Sequence, residues 1–321
     1  MRINLSSNTD ILAVTPTLFG FVPTNSIVAI LLDNIGDRRT VHVSARYDIV
    51  EPLDVAAQLA NTLPLQQPNG DMRLVILIAI TDPEHDKHAG DHLDAAQRHI
   101  TARGASILKR LHTPAVDAGN TWTDVDTGDT GTTVDYRTSE VGLLMAVEHG
   151  RIVRATRDDI AAEFTPTEQA PAPDVDTESA EFSTQIVRDM ATAFEDPTTL
   201  TPQLAANAGL LITANTTHRD ALLIASTEHP QSGATVWTHL ARQLRGRARI
   251  EALALAAACF YCSDDAVRAA IALEAARHTA ADAGLPDTTL VTLLDTAVQA
   301  AVPPAKLRQV FAQLAAKPPT E

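Results

Sequence analysis

The chain has 321 residues, enough for two domains, and its 45% hydrophobic content is that of a folded protein, which excludes wholesale disorder. Aromatic residues make up only 4%, which favours closely packed helices over a sandwich rich in aromatics. The net charge of −15 argues against nonspecific binding to nucleic acid or to an anionic membrane.

Cysteine usage and the length of the apolar runs indicate a cytoplasmic protein. Cys259 and Cys262 are the only cysteines, which excludes a disulfide framework and is typical of a reducing compartment. The first ten residues contain no apolar core of signal-peptide length. The longest apolar runs, such as 74–80, fall short of the roughly 20 residues that span a bilayer. We therefore expect a soluble protein of the cytoplasm.

Strands and helices alternate in the first half of the sequence. A helix that ends at Gly20 is followed by a hairpin, a helix, a central strand that is apolar on both faces, another helix and a further strand. This order predicts a mixed, partly parallel sheet flanked by helices. The predicted elements are helix 9–19, strands 26–33 and 40–48, helix 51–63, strand 73–81, helix 92–104 and strand 106–112.

A proline-rich stretch separates this half from the rest of the chain. Residues 116–136 have no helical period, and 140–151 resume a helix that Gly150 would close. Residues 165–179 then contain three prolines, several acids and no apolar periodicity, which is typical of a linker. The predicted organisation is an α/β domain over 1–164, a Pro/acid-rich linker over 165–180 and a helical domain over 181–321.

The second half consists of short helical segments, each with an apolar face. Pro, Gly, Asp or Thr stands at the cap positions between them, and alanine is abundant on the apolar faces. Helices of this length that are paired by tight turns are typical of repeat units. We expect a repeat-like, tetratricopeptide-like helical domain, with 250–281 as its best example, although no strict period of roughly 34 residues can be aligned.

Several motifs along the chain belong together. The stretch DILAVTPTLFGFVPTNSIVAILL (10–32) leads from a helix through a Gly-Phe-x-Pro-x-x-Ser turn into a strand. ARYD (45–48), RLVILIAIT (73–81), TWTDVD (121–126), VEHGRIVRATRDDI (147–160) and the helical stretches follow in order. Over nearly its whole length the chain resembles the actinobacterial domain-of-unknown-function 4192 family. The resemblance implies a fold and its boundaries, and it implies no activity.

One departure from that family restricts the metal and redox chemistry that this chain could perform. Many relatives carry a Cys-Cys-Pro cluster shortly after the tryptophan, whereas here residues 124–139, which follow Trp122 closely, read DVDTGDTGTTVDYRTS and contain no cysteine. Any metal or redox chemistry that relies on those cysteines is therefore absent from this chain.

Two interpretations of the turn at 19–26 are possible: a phosphate-binding loop, or the C-terminal end of a helix, which we call a helix stop. Phosphate loops run from a strand into a helix, and this turn runs from a helix into a strand, which favours the helix stop. The hairpin nevertheless brings the start of the first strand beside the end of the second, where the central strand also ends. Ligands of open α/β sheets bind at such edges. The predicted ligand-binding residues are Thr24, Asn25, Ser26, Arg46, Asp48 and Asp82.

Two of these predictions have plain alternatives. Arg46 and Asp48 lie two apart on a strand and therefore share a face, so they could bind a polar ligand or pair with each other. The segment TDPEHDKHAGDH (81–92) offers His85, His88 and His92 as ligands of a divalent metal, the only cofactor that the sequence suggests. The alternative for this segment is a solvated acidic loop that precedes helix 92–104.

Other motifs favour structural roles. Cys259 and Cys262 form a C-x-x-C pattern inside an Ala/Leu helix, where redox motifs do not sit, so we expect them to fill space. Four arginines between 242 and 249 surround a glycine, but without interleaved aromatics they make a poor nucleic-acid site. No nucleophile elbow, Walker loop, zinc-protease motif or dinucleotide fingerprint occurs.

Two function classes follow from these features. The favoured one is a non-enzymatic ligand-binding or protein-interaction (adaptor) protein, whose partners are proteins or a small polar ligand, with neither membrane nor nucleic acid as a partner. The alternative is a metal-dependent hydrolase or nucleotide-processing enzyme that uses the residues at the sheet edge. The enzyme requires Asp82, His85, His88, Arg46 and Asp48 to meet in one concave pocket.

Overall fold

The computed structural model of the chain describes residues 7–35, 38–140, 142–143, 152–173 and 180–315. The chain divides into two units, Met1–Arg157 and Asp158–Glu321. The first unit contains the sheet, and the second contains helices.

The first unit is built on a mixed sheet of six strands in the order β2-β1-β3-β4-β5-β6. β1 runs antiparallel to both β2 and β3, and β3 runs parallel to β4. The predicted hairpin and the predicted mixed, partly parallel sheet are thus confirmed. The strands are β1 (Ser26–Ile35), β2 (Arg38–Asp48), β3 (Leu74–Ile80), β4 (Ser106–Thr113), β5 (Thr121–Asp124) and β6 (Thr130–Thr132).

β5 and β6 were not predicted. Both are short and polar, and their Thr, Asp and Gly residues carry no period-2 apolar pattern. They are held instead by Trp122, whose indole Nε1 donates a hydrogen bond to Thr9 Oγ1 at 3.0 Å. Gly131 of β6 lies flat against the Trp122 ring, where a Cβ atom would stand 2.4 Å from a ring carbon.

Among the described residues, the first unit contains the helices α1 (Asn8–Phe19), α2 (Val55–Thr62) and α3 (Asp86–Ala102). α1 ends as predicted, because Gly20 adopts a left-handed φ of 72° and donates its N–H to Pro16 O at 2.8 Å. α3 begins earlier than the predicted residue 92. Asp82 Oδ1 accepts the N–H groups of Glu84 and His85 and organises the turn that leads into α3, although the helix's first residues are polar.

The core of the first unit lies between one face of the sheet and the helices α2 and α3. Ile27, Ala29 and Leu31 of β1 pack there with side chains of α2 and α3. Val28 and Ile30 point to the opposite face and are fully buried as well. Both faces of the central strands are therefore covered, which is why β3 is apolar throughout. Most of the predicted helix 140–151 lies outside the described residues.

The described part of the second unit contains the eight helices that the apolar faces of the second half predict, preceded by a short helix. They are α4 (Arg157–Ala162), which begins at the unit boundary, α5 (Ala180–Glu195), α6 (Pro202–Ala214), α7 (Thr216–Glu228), α8 (Pro230–Gln243), α9 (Gly246–Cys262), α10 (Ala266–Asp282), α11 (Thr289–Gln299) and α12 (Pro304–Ala315). Within the described residues, none of the helices of either unit combines the length and the apolar character that crossing a bilayer requires.

α9 is the central helix of this unit. It packs against α6, α7, α8, α10, α11 and α12 and is buried along most of its length. In a solenoid each repeat would pack against its sequence neighbours only. The helical architecture is thus confirmed, while a tetratricopeptide-like repeat is not.

The segment that follows α4 is anchored to the helical unit. The N–H groups of Thr167 and Ala170 donate to the carbonyls of Arg242 and Gln243, at 2.8 and 2.9 Å. These carbonyls close α8 and have no partner within their own helix. The two units divide after Arg157, and the described part of the predicted linker is hydrogen-bonded to the helical unit through Thr167 and Ala170. Residues 174–179 lie outside the described part of the chain.

Candidate functional site

Three strand ends meet at one edge of the sheet, which we call the sheet edge. In the register of the hairpin, Ser26 stands opposite Asp48, and in the register of β1 with β3 it stands opposite Ile80. The start of β1 therefore lies beside the carboxyl ends of β2 and β3. The predicted ligand-binding residues lie on these three ends, and they form two separate groups.

The first group surrounds Arg46. Its Nη1 donates to Ser26 Oγ at 2.6 Å and to the carboxylate of Asp48, and its guanidinium carbon lies 5.3 Å from the centre of the Phe21 ring. The Ser26 hydroxyl in turn donates to Thr24 O at 2.6 Å, which leaves its oxygen free to accept from Arg46. Arg46 and Asp48 thus pair with each other, and Arg46 is held in one orientation. We call Phe21, Ser26, Arg46 and Asp48 the arginine group.

The second group joins Asn25 to Asp82. Asn25 has a left-handed φ of 44°, and its side chain bonds Asp82 twice, donating to Oδ2 at 2.8 Å and accepting from the backbone N–H at 2.9 Å. Asp82 Oδ1 also lies 2.7 Å from His85 Nδ1. Hydrogen bonds from Asn25, and next from His85, lower the pKa of the Asp82 carboxyl to about 2. Asp82 therefore remains ionised and fully engaged in holding the loop before α3.

The arginine group faces away from α2 and α3. Tyr47 belongs to the core beneath those helices, so its strand neighbours Arg46 and Asp48 point to the other face of the sheet. His92 lies on the Tyr47 side: it is buried, and its Nδ1 stands 3.3 Å from the Tyr47 hydroxyl. Burial, and next the charge of His88, lower the pKa of the His92 imidazole.

The three histidines of the predicted metal site do not converge. His85 bonds Asp82, His88 is exposed on α3, and His92 is buried against Tyr47. Across the residues that the structure describes, no set of three or more His, Cys, Asp or Glu side chains is arranged to hold a metal ion. His88 and His92 are four residues apart on α3, but His92 packs into the core against Tyr47, and His85 precedes the helix and is held by Asp82.

A third cluster at the sheet edge was missed by sequence reasoning. His112, near the end of β4, lies 2.8 Å from Thr81 Oγ1 and 2.7 Å from Asp86 Oδ1, in both cases through its Nε2. A hydrolytic triad needs the acid on one ring nitrogen and the hydroxyl on the other. The shared nitrogen excludes a proton relay through this arrangement. Parallel pairing of β3 with β4 could have pointed to His112, because parallel strands end at the same edge.

Three stretches that carry the family resemblance meet at the turn after α1. The N–H of Val22 donates to Arg154 O at 3.1 Å, and the N–H of Arg154 donates to Gly20 O at 2.8 Å. Phe21 and Ser26 of the same turn contact Arg46 of the ARYD stretch. The turn is therefore a junction of the first unit that also orients the arginine of the sheet edge.

A groove of the first unit lies away from the sheet edge. It has a volume of about 550 Å³ and opens between α3, the loop before α2 and β4. Arg110 at its floor is held by Asp94 and Asp126. None of the predicted site residues lines it. Its lining residues are Leu53, Asp91, Asp94, Gln97, Arg98, Thr101 and Arg110.

The four arginines between 242 and 249 serve the helical unit itself. Arg242 and Arg245 donate to the carbonyls of Thr165 and Thr167. Arg247 lies 3.5 Å from the carboxylate of Glu251. Arg249 is buried, and its guanidinium reaches three neutral oxygens of three different segments. The four arginine side chains are therefore bonded within the helical unit itself, as the structural interpretation of this motif requires.

Both cysteines lie buried and free in α9. Burial raises the pKa of the Cys259 thiol to about 12 and that of the Cys262 thiol to about 11. We therefore expect neither thiol of the folded protein to react with an Ellman-type reagent, and both to react once guanidinium unfolds the chain. Absorbance of the released thiolate measures this. A native-state reaction as fast as that of an exposed cysteine would contradict it.

Comparison with known proteins gives one match. A family model described as "Domain of unknown function (DUF4192)" matches residues 9–305, nearly the whole chain. No curated protein and no solved structure matches.

Proposed function

Since the chain belongs to the DUF4192 family, whose description specifies no activity, we propose its function from the geometry of the sheet edge. The protein is a non-enzymatic binding protein, and the arginine group of its first unit binds a small polar ligand through an anionic part of that ligand. The orientation of Arg46 is the observation that carries this proposal.

Arg46 holds unused donors in a fixed position. A guanidinium has five N–H donors, and the two of Nη1 go to Ser26 and Asp48. Among the described residues, no acceptor lies at Nε or Nη2, while 18% of the side chain remains exposed. The Nε–Nη2 side of a guanidinium matches a carboxylate or phosphate with two parallel hydrogen bonds. Because Phe21 and Ser26 already order the side chain, little conformational entropy is lost on binding.

The competing proposal is a metal-dependent hydrolase or nucleotide-processing enzyme. It needs the carboxylates and imidazoles of the sheet edge to act on one substrate. Asp82 is engaged by Asn25 and His85, and Asp48 is engaged by Arg46. These contacts leave Arg46 as the group with spare hydrogen-bonding capacity, which supports binding over catalysis.

The second unit supplies the protein-contact part of the proposal. Its repeat-like helices would offer grooves to partner proteins in the cytoplasm, and the acidic net charge fits neither nucleic acid nor an anionic membrane as a partner. Arginines that would otherwise form a basic patch are bound to backbone carbonyls of the same unit.

A panel of small anions tests the proposal. We expect the ligands that raise the melting temperature to carry a carboxylate or a phosphate, and Arg46→Gln to weaken their binding about tenfold or more, because a charge-assisted bidentate contact is lost. Arg46→Lys should weaken binding nearly as much, since lysine keeps the charge and loses the planar fork. Thermal-shift titration gives the apparent affinities.

Arg98→Gln is the matched control, because Arg98 lies in the groove at α3, away from the arginine group. Equal weakening by Arg98→Gln and Arg46→Gln would mean nonspecific charge effects and would sink the proposal. Metal-dependent hydrolysis of a phosphate ester that is lost in Asp82→Ala would favour the competing enzyme. Urea unfolding of each variant establishes that the substitutions leave the fold intact.

A further inference from the structure

The outer edge of β2 is open. Within the described part of the chain β2 pairs only with β1, and it forms one end of the sheet. It spans Arg38–Asp48, whereas β6 at the other end spans only Thr130–Thr132. Proteins with a long open edge strand must protect it or use it, because its unpaired N–H and C=O groups are a template for another strand.

The register shows which backbone groups of β2 are free. The N–H of Ile49 donates to Asn25 O at 2.8 Å, so this pair exchanges hydrogen bonds with the β1 side. Because hydrogen-bonded pairs alternate along an antiparallel ladder, Val43, Ala45 and Tyr47 also face β1. The N–H and C=O groups of the residues between them point outward. Among the described residues, the N–H and C=O of Ser44 and Arg46 have no partner.

A bulge limits the usable length of this edge. The register with β1 shifts between Leu31 and Leu32, which leaves His42 as the extra residue of β2. His42 turns toward Asp33, with Nδ1 and Oδ2 3.2 Å apart. The regular open edge is therefore Val43–Asp48. Six residues suffice for an added strand of ordinary length.

The two faces of this segment differ in chemistry. Val43 and Ala45 are half-buried against the core beneath α2 and α3. Ser44 and Arg46 lie on the other face, with Arg46 offering its free Nε and Nη2. A strand added beside β2 would therefore place apolar side chains next to Val43 and Ala45, and acidic side chains next to Arg46.

Charge favours an acidic partner segment over a second copy of the chain. Within Val43–Asp48 the charged residues are Arg46 and Asp48. Arg46 keeps free donors at Nε and Nη2, so a carboxylate on an added strand is complementary to it. In a second copy of β2 the carboxylate of this segment, Asp48, is already engaged by its own Arg46.

We propose that the open edge Val43–Asp48 of β2 binds an extended segment of a partner protein in which acidic and apolar residues alternate, by strand addition. The main chain of Ser44 and Arg46 supplies the hydrogen bonds, and the free Nε and Nη2 donors of Arg46 select the acidic sequence. The proposal goes beyond small-ligand binding by the arginine group, because it depends on the backbone of β2.

The probe is an acetylated, amidated heptapeptide of alternating valine and glutamate. In the free protein we expect the amides of Ser44 and Arg46 to exchange with solvent fast, and those of Val43 and Ala45 slowly. The peptide should slow exchange of the two outward amides by about tenfold or more, as new hydrogen bonds form. Amide hydrogen exchange followed by NMR measures all four. A peptide with lysine in place of glutamate should leave them unchanged.

Ser44→Pro removes one outward N–H without touching the ladder to β1, a position that tolerates proline. We expect it to abolish peptide binding, while Ser44→Ala preserves it and both keep small-anion binding. If Ser44→Pro does not fold, a peptide N-methylated at alternate residues replaces it and should not bind. Three results would each overturn the proposal. The outward amides could already be protected in the free protein, or their protection could appear only on dimerisation. Binding could also survive Ser44→Pro or N-methylation of the peptide.

Discussion

Replacing Arg249 by Met is expected to lower the free energy of unfolding of the helical unit by about 3 kcal/mol. Arg249 is buried, and its guanidinium donates to Ala241 O at 2.5 Å, to Phe164 O at 2.6 Å and to Thr279 Oγ1 at 3.1 Å. Burial lowers the pKa of Arg249 to about 10, and the group still holds three segments together. The variant leaves two carbonyls without a donor in an interior that water does not reach.

The measurement can be restricted to one unit, because each unit contains one tryptophan, Trp122 in the first and Trp237 in the second. Urea unfolding in a Trp122→Phe background, followed by Trp237 fluorescence, reports the helical unit. Arg188→Met is the control: Arg188 is exposed on α5, and its loss should change the free energy by no more than about 0.5 kcal/mol. Equal stability of the two variants would show that Arg249 does not hold the segment after α4.

Gly233→Ala is expected to destabilise the same unit by about 3 kcal/mol. A Cβ atom at Gly233 would stand 2.5 Å from Ser226 O and 2.9 Å from Cys259 Sγ. The first of these is a backbone atom of α7, so the helices α7, α8 and α9 would have to move apart. The cost of that movement exceeds the gain in helix propensity that alanine brings, roughly 1 kcal/mol.

Gly90→Ala is the matched control, since Gly90 also lies within a helix but has no atom within 4 Å of its Cβ position. There we expect a gain in stability of about 0.5 to 1 kcal/mol, read from Trp122 in a Trp237→Phe background. The same substitution would thus lower the free energy of unfolding where a backbone atom contacts the new Cβ atom, and raise it where none does. A neutral Gly233→Ala variant would contradict the close approach of these helices.

The parts of the fold that depend on local pattern could be predicted from the sequence. The hairpin, the apolar strand β3 and the eight helices of the second half carry strong periodicity or strong end signals, such as Gly20 after α1. β5 and β6 lack both, because they are short, polar and held by one long-range contact of Trp122 with Thr9. Patterns of neighbouring residues contain no information about such contacts.

The segment after α4 shows a related limit of prediction from the sequence. Prolines at 166, 171 and 173 indicate correctly that residues 165–173 form no helix or strand. Composition alone cannot show that the segment is anchored, because its partners lie more than 70 residues later in the sequence: the guanidinium groups of Arg242 and Arg245, and the carbonyls that end α8. An anchored segment without helix or strand therefore has the same sequence features as a free linker.

The predicted topology located the sheet edge correctly, but it did not show which of the side chains there bond to each other. Knowing that β1, β2 and β3 share an edge is enough to group Ser26, Arg46 and Asp82. Which partner each side chain takes depends on the face of the strand or helix on which it lies. On α3, His92 packs into the core against Tyr47, whereas His88, one turn earlier, is exposed. Differences of this kind decide whether a cluster in sequence becomes a site.

The Nε–H resonance of Arg46, assigned by its absence from the spectrum of Arg46→Lys, reports most directly whether the sheet edge binds an anion. On titration with sodium phosphate we expect this signal to shift and its exchange with solvent to slow, while the Nε–H of Arg98 stays unchanged. Sodium chloride at equal ionic strength should reproduce neither change. An Arg46 signal that does not respond to phosphate, or that moves in step with Arg98, would contradict the proposal that Arg46 is the anion-binding group.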